Sequence, residues 1–93
     1  MSGVLTTKKA MKYWKRLMEH EFVDQNYKLL PTTTRQQAMY IAEAFAEKLG
    51  LKTKWKTFED FWGINNLAQE KNKSLELGKL PARSDVIDKI FRD

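Results

Sequence analysis

Apolar residues recur at helical spacing near the start of this chain, and that periodicity constrains the fold more than any other feature of the sequence. At about 100° per residue, the apolar side chains fall on an arc about 180° wide. They are Ala10, Met11, Tyr13, Trp14, Leu17, Met18 and Phe22. The opposite arc, about 120° wide, carries five cations and one acid: Lys8, Lys9, Lys12, Lys15, Arg16 and Glu19. The sequence therefore predicts a first helix that is strongly amphipathic and basic.

Three later stretches show the same helical spacing, so we expect an all-α fold. The four stretches run from Thr7 to about Tyr27, from Thr34 to Leu49, from Thr57 to about Asn72 and from Ser84 to Arg92. The first is expected to kink or end just beyond Glu21, where the apolar stripe shifts to another face. Each stretch begins with a Thr or Ser, whose side chain can cap a helix. We therefore predict a single helical domain over residues 1–93, folded as a small bundle of three to four helices.

Local signals mark both ends of the second helix. Thr34 and Gln37 have the spacing of a capping box, in which each side chain bonds the backbone N–H of the other residue. Gly50 followed by Leu51 is typical of a helix C-terminus. Glycine supplies the left-handed residue there, and leucine closes back onto the last turn.

The third stretch is less regular. Gly63 weakens it as a helix, and Asn65 falls in the middle of its apolar face. Either the helix ends at Gly63 and Asn65 or Asn66 caps another, or Asn65 is a buried polar residue with partners. We favour the break. Residues 75–81, which follow, are compatible with a short strand, an arm over the core or a docking site.

Composition excludes several classes of protein. The chain has 93 residues, of which 42% are hydrophobic, and its three Trp, three Tyr and five Phe are too many for a disordered tail. It has no cysteine, so it can form no disulfide, thiolate zinc site or thiol nucleophile. Its uncharged runs are too short to span a membrane, and a secretory signal is not expected. We expect a cytoplasmic protein that needs no cofactor.

Positive charge is concentrated in the first three fifths of the chain. Through Lys56 there are eleven Lys and Arg against five Asp and Glu, and from Thr57 onward six against seven, which gives the net charge of +5. A one-sided basic surface favours nucleic acids, acidic proteins or anionic membranes as partners. The membrane is least favoured, because a domain this small needs its apolar arc for the core. A solvated outer face that keeps the protein soluble explains the same lysines without any partner. Among the partners, nucleic acid is the leading hypothesis, with the chain as a small DNA-binding accessory or regulatory protein.

Two elements carry most of this charge, the basic face of the first helix and the segment Lys52-Thr53-Lys54-Trp55-Lys56. Lysines that alternate about an aromatic ring are typical of nucleic-acid contact loops. In an extended segment the three lysines would point one way and Trp55 the other. We therefore expect Lys52, Lys54 and Lys56 to contact nucleic acid together with the first helix, and Trp55 to pack in the core.

The segment 46–51 resembles the first half of a helix-turn-helix motif, with Ala46 four residues before Gly50 and a hydrophobic residue after it. Proteins with that motif place their second helix in the major groove. Lys56 and Glu59 depart from the pattern at positions where the second helix should bury aliphatic residues. A glycine-capped helix with a hydrophobic closure explains the same six residues.

The alternative hypothesis is a protein-interaction module, such as an adaptor or inhibitor, that docks on an acidic surface. Aromatic side chains anchor such interfaces and charges steer association, so exposed Tyr13 or Trp14 beside the lysines would suit one. Tyr40 with Glu43 and Glu47 forms a second candidate surface on the polar side of the second helix.

We expect no catalytic residues. His20 is the only histidine, and its neighbours Glu19 and Glu21 point in other directions on a helix, so the three do not converge. The chain offers too few nitrogen or sulfur donors for a zinc site. It contains no phosphate-binding Gly-rich loop and no nucleophile motif. The oligomeric state does not follow from the sequence.

Overall fold

Five α-helices form the described part of the fold. The computed structural model describes residues 7–52 and 55–92. Its helices are α1 (Lys8–Glu19), α2 (Arg35–Leu49), α3 (Lys56–Trp62), α4 (Leu67–Leu77) and α5 (Ser84–Ile90). The predicted all-α class is confirmed. The expected number of helices was too low, because the third predicted stretch contains two.

The break in that stretch lies at Gly63, as favoured from the sequence. α3 ends at Trp62, and Gly63 adopts the left-handed conformation with φ 69°. Ile64 N–H then donates to the Glu59 carbonyl at 3.0 Å, which closes the helix end. Asn66 stands before α4, also left-handed, although its side chain makes no capping bond.

The first two helices begin at the residues that the sequence indicated, and α2 also ends where the sequence indicated. Thr7 Oγ1 accepts from Ala10 N–H at 3.2 Å at the start of α1. The capping box of α2 is present, with Gln37 N–H donating to Thr34 Oγ1 at 3.1 Å and Thr34 N–H to Gln37 Oε1 at 2.9 Å. Gly50 closes α2 with φ 67°.

Other predicted helix ends differ from the structure. α1 ends at Glu19, eight residues before Tyr27, and the chain turns away through His20. The capping roles expected of Thr57 and Ser84 were wrong, since α3 begins one residue before Thr57 and Ser84 is itself the first residue of α5. Neither helix has a side-chain cap, so packing rather than capping positions their starts.

Phe45 of α2 lies at the centre of an aromatic core. Its ring centroid is 4.9 Å from that of Trp14, 5.6 Å from Tyr13, 5.3 Å from Phe58 and 5.3 Å from Phe91. Tyr13 and Trp14 are fully buried. The expectation that either could anchor an exposed interface was therefore wrong. Both rings are held by the apolar contacts that join α1 to the other helices.

Glu70 of α4 joins α4 to α2 through polar contacts. Its Oε2 accepts from Gln36 Nε2 at 2.8 Å, and its Oε1 accepts from Arg35 Nε at 3.3 Å. Lys73 Nζ lies 3.7 Å from Oε1. Burial alone would raise the pKa of this carboxyl, but the hydrogen bonds from Gln36 and Arg35 and the nearby cations outweigh it and lower the pKa.

The segment 75–81 is not a strand. It comprises the last residues of α4, Gly78 in the left-handed conformation, and the short stretch that leads to the buried Pro81. Leu75, Leu77 and Leu80 are each about two thirds exposed, at 66%, 68% and 66%. They point away from the core, so the segment is not an arm that covers it.

Candidate nucleic-acid interface

The exposed face of α1 carries the predicted cations together. Lys8, Lys9, Lys12 and Lys15 are exposed, and Arg16 is half-buried. From Lys8 to Arg16 the helix rises by about 12 Å, so these side chains form a short basic ridge. The centre of the opposite face is fully buried at Ala10, Tyr13, Trp14 and Leu17, so the ridge points toward the outside of the fold.

The first turn of α1 is electrostatically unusual. A helix N-terminus carries a partial positive charge and favours Asp or Glu in its first turn. Here the first turn contains no acid and begins with Lys8 and Lys9. The two ammonium groups therefore add to the positive field of the helix end, at some cost to the stability of α1.

Three of the α1 lysines make no ion pair with any described residue, namely Lys8, Lys9 and Lys15. Lysines on α4 behave differently. Lys71 Nζ lies 3.1 Å from Glu43 Oε2, and Lys73 pairs with a buried carboxylate. The charge of the ridge is thus less compensated than the charge of α4.

Arg16 serves the α1–α5 interface as well as the ridge. Its Nη1 donates to the Ile90 carbonyl at 2.7 Å. In return, Arg83 Nη2, at the start of α5, donates to the His20 carbonyl at 2.8 Å. Since helix C-terminal carbonyls lack partners within the helix, each arginine satisfies one of them. Arg16 is therefore a structural residue whose remaining capacity to bind a phosphate is limited.

Of the Lys52–Lys56 segment, Lys52 follows the end of α2 and Lys56 is the first residue of α3. Lys52 is exposed, whereas Thr53 and Lys54 lie outside the described residues. Trp55 is half-buried and packs against the core. Lys56 is exposed, and its Nζ lies 3.6 Å from Asp60 Oδ1 on the next turn of α3. That pairing reduces the net positive charge at Lys56.

Tyr40 and Glu43 of the second predicted surface make contacts within the fold. The Tyr40 hydroxyl donates to Asp88 Oδ1 at 2.7 Å and thereby ties α2 to α5. Burial and the nearby carboxylates raise the pKa of Tyr40 to about 12. Glu43 pairs with Lys71 of α4. Glu47 is exposed in the last turns of α2.

No cluster of three or more His, Asp or Glu in residues 7–52 and 55–92 could hold a metal ion. Within the same ranges, no helix is both long enough and apolar enough to cross a bilayer. Comparisons of the chain with protein-family models, with curated proteins and with solved structures find no match. The chemistry of the surface is therefore what indicates a function.

Proposed function

We propose that this protein is a non-catalytic module that binds nucleic acid through the basic ridge of α1. The observation that carries the proposal is the run of exposed lysines on one helix face, three of which lack an ion pair with the described residues. Phosphate backbones are bound by such clustered lysines because binding releases condensed counterions.

The placement of two lysines at the N-terminal end of α1 supports the same function. Lysine is unfavourable there for the helix itself, whereas a phosphate would interact with both ammonium groups and with the helix dipole. The two lysines would therefore favour the binding of an anion while they lower the stability of α1.

An acidic protein surface is the alternative partner, and it would use the same lysines. The second surface contributes less to that alternative, because Tyr40 and Glu43 are engaged with Asp88 and Lys71. The phosphate backbone is favoured because its regularly spaced charges match a ridge of several cations.

The salt dependence of binding tests the proposal. If the four exposed lysines each neutralise a phosphate, log K should fall with log salt with a slope of about −3 to −4 for duplex DNA. We expect affinity in the micromolar range, about 1 to 100 µM, at moderate salt. The measurement is fluorescence anisotropy of labelled duplex and single strands over a salt series. Absence of binding to any nucleic acid at about 50 mM salt would contradict the proposal.

A further inference from the structure

Three half-buried aromatic rings surround Trp14 on one flank of α1. The ring centroid of Trp14 lies 5.4 Å from that of Tyr27, 5.7 Å from Phe61 and 6.2 Å from Trp62. Tyr27 belongs to the segment of chain that connects α1 to α2, and the other two rings belong to α3. Trp14 is fully buried, whereas its three neighbours are half-buried. We call Tyr27, Phe61 and Trp62 the aromatic patch.

The helical positions of α1 place this patch beside the basic ridge. Viewed down the helix axis, the half-buried Met11 and Met18 lie next to Trp14 on one side. Lys15 and Lys8 lie beyond them on the same side, nearer the solvent. These two lysines are therefore the members of the ridge on the flank of the patch.

The other flank of α1 is covered by α5. There the Tyr13 ring centroid lies 5.0 Å from that of Phe91, and Arg16 bonds the Ile90 carbonyl. Lys9 and Arg16 are the ridge cations on that side. A partner that contacts both cations and aromatic rings would therefore lie on the Lys8 and Lys15 flank.

Lys28 places a further cation within the patch. Its Nζ lies 4.2 Å from the Phe61 ring centroid and donates to the Phe61 carbonyl. Trp62 is held in place because its Nε1 donates to the Tyr27 carbonyl at 3.0 Å. The nearby Asp24 carboxylate caps the turn, accepting from the Lys28 N–H at 3.1 Å and from a second backbone N–H. The patch is therefore a set of packed rings with an ammonium group against one of them.

We propose that the nucleic acid bound by this protein is single-stranded and that its bases stack on the aromatic patch. This inference depends on the proposed function, because the α1 lysines hold the phosphates. Aromatic rings beside cations are the combination that recognises single strands, whose unpaired bases expose their faces. Bases in a duplex are stacked on one another and cannot reach rings on a protein surface.

An abasic strand tests the inference without changing the protein. The binding of oligothymidylate is compared with that of an abasic deoxyribose-phosphate strand of equal length and with a duplex, all at one salt concentration. We expect oligothymidylate to bind roughly 5- to 150-fold more tightly than the abasic strand for each stacked base, and more tightly than the duplex. Equal binding of the abasic strand, or tighter binding of the duplex, would overturn it.

The same comparison separates this inference from the proposed function. If oligothymidylate and the abasic strand bind equally well and with a salt dependence, the ridge stays the proposed binding site and base stacking is excluded. Failure of every strand to bind would remove both. A Trp62→Leu variant adds a second readout, because it should reduce the ratio of oligothymidylate to abasic affinity, whereas Trp55→Leu in the α2–α3 connection should not. An unchanged ratio in a folded Trp62→Leu variant would count against Trp62 as a stacking ring.

Discussion

The Arg16 guanidinium donates a hydrogen bond of 2.7 Å to the Ile90 carbonyl, which joins the first helix to the end of the last. A carbonyl at a helix C-terminus has no partner within its own helix, and a cation is favourable there. Arg83 makes the corresponding bond to the His20 carbonyl. The two bonds cross-link α1 and α5, and α1 carries the proposed binding ridge. The orientation of the ridge therefore depends on this pair of helices.

Arg16→Ala should lower the free energy of unfolding by about 1 to 2 kcal/mol, because it leaves the Ile90 carbonyl without its charged donor. Lys15→Ala is the matched control, since Lys15 is exposed on the same helix and makes no such bond. It should change stability by less than about 0.5 kcal/mol. Urea denaturation measures both. Equal effects would show that the bond to Ile90 does not stabilise the fold.

Glu70→Gln should destabilise the protein in a pH-dependent way. The pKa of Glu70 in the folded state is lowered, so its contribution is present above the ordinary value of 4.5 and is lost as the pH falls through the folded pKa. Loss of the charged contacts to Gln36 and Arg35 should cost about 1 to 2 kcal/mol at neutral pH.

The difference between Glu70→Gln and the wild type should shrink in acid. Urea denaturation near neutral pH and at about pH 3 measures this. Glu76→Gln, on the exposed side of α4, is the control and should change stability little at either pH. A cost that stays constant across this range would mean that Glu70 acts by packing rather than by charge.

Tyr40 should titrate later than an ordinary tyrosine. Burial and the bond to Asp88 raise the pKa of Tyr40 to about 12. Because the folded pKa is raised, the stability that the phenol contributes is complete below pH 10.0 and is lost as the pH rises through about 12. Ultraviolet absorbance should show a late tyrosinate step that is missing in Tyr40→Phe. A wild-type titration indistinguishable from that of the variant would contradict the Asp88 contact.

Much of the fold follows from local patterns in the sequence. The periodicity of α1, the capping box at Thr34 and the break at Gly63 each depend on residues close together in the chain. The misplaced starts of α3 and α5 have a different origin. Trp55 and Arg83 occupy the cap positions without capping, and Arg83 is held instead by the end of α1. A contact between residues 63 positions apart leaves no local pattern in the sequence.

Only the part of the candidate site that depends on local spacing was predictable from the sequence. The ridge of α1 follows from helical spacing alone. The internal roles of Arg16 and Tyr40 depend on partners 74 and 48 residues away, which a single sequence does not reveal. Lys28 was missed for the same reason, since Phe61 lies 33 residues further along the chain.

The most direct test of the binding ridge is a charge reversal that does not weaken the fold. In Lys8→Glu an acid replaces a lysine in the first turn of α1, where the helix dipole favours it, so stability should stay equal or rise by about 0.3 to 1 kcal/mol. Lys79→Glu, which makes the same change in net charge at an exposed position beyond α4, is the matched control. The quantity to compare is the affinity for nucleic acid at low salt and its salt slope.

The ridge predicts that Lys8→Glu weakens binding roughly ten-fold and reduces the magnitude of the salt slope by about 1, while Lys79→Glu changes both far less. Equal weakening by the two variants would show that only net charge matters. Unchanged binding in Lys8→Glu would show that the α1 ridge is not the binding surface.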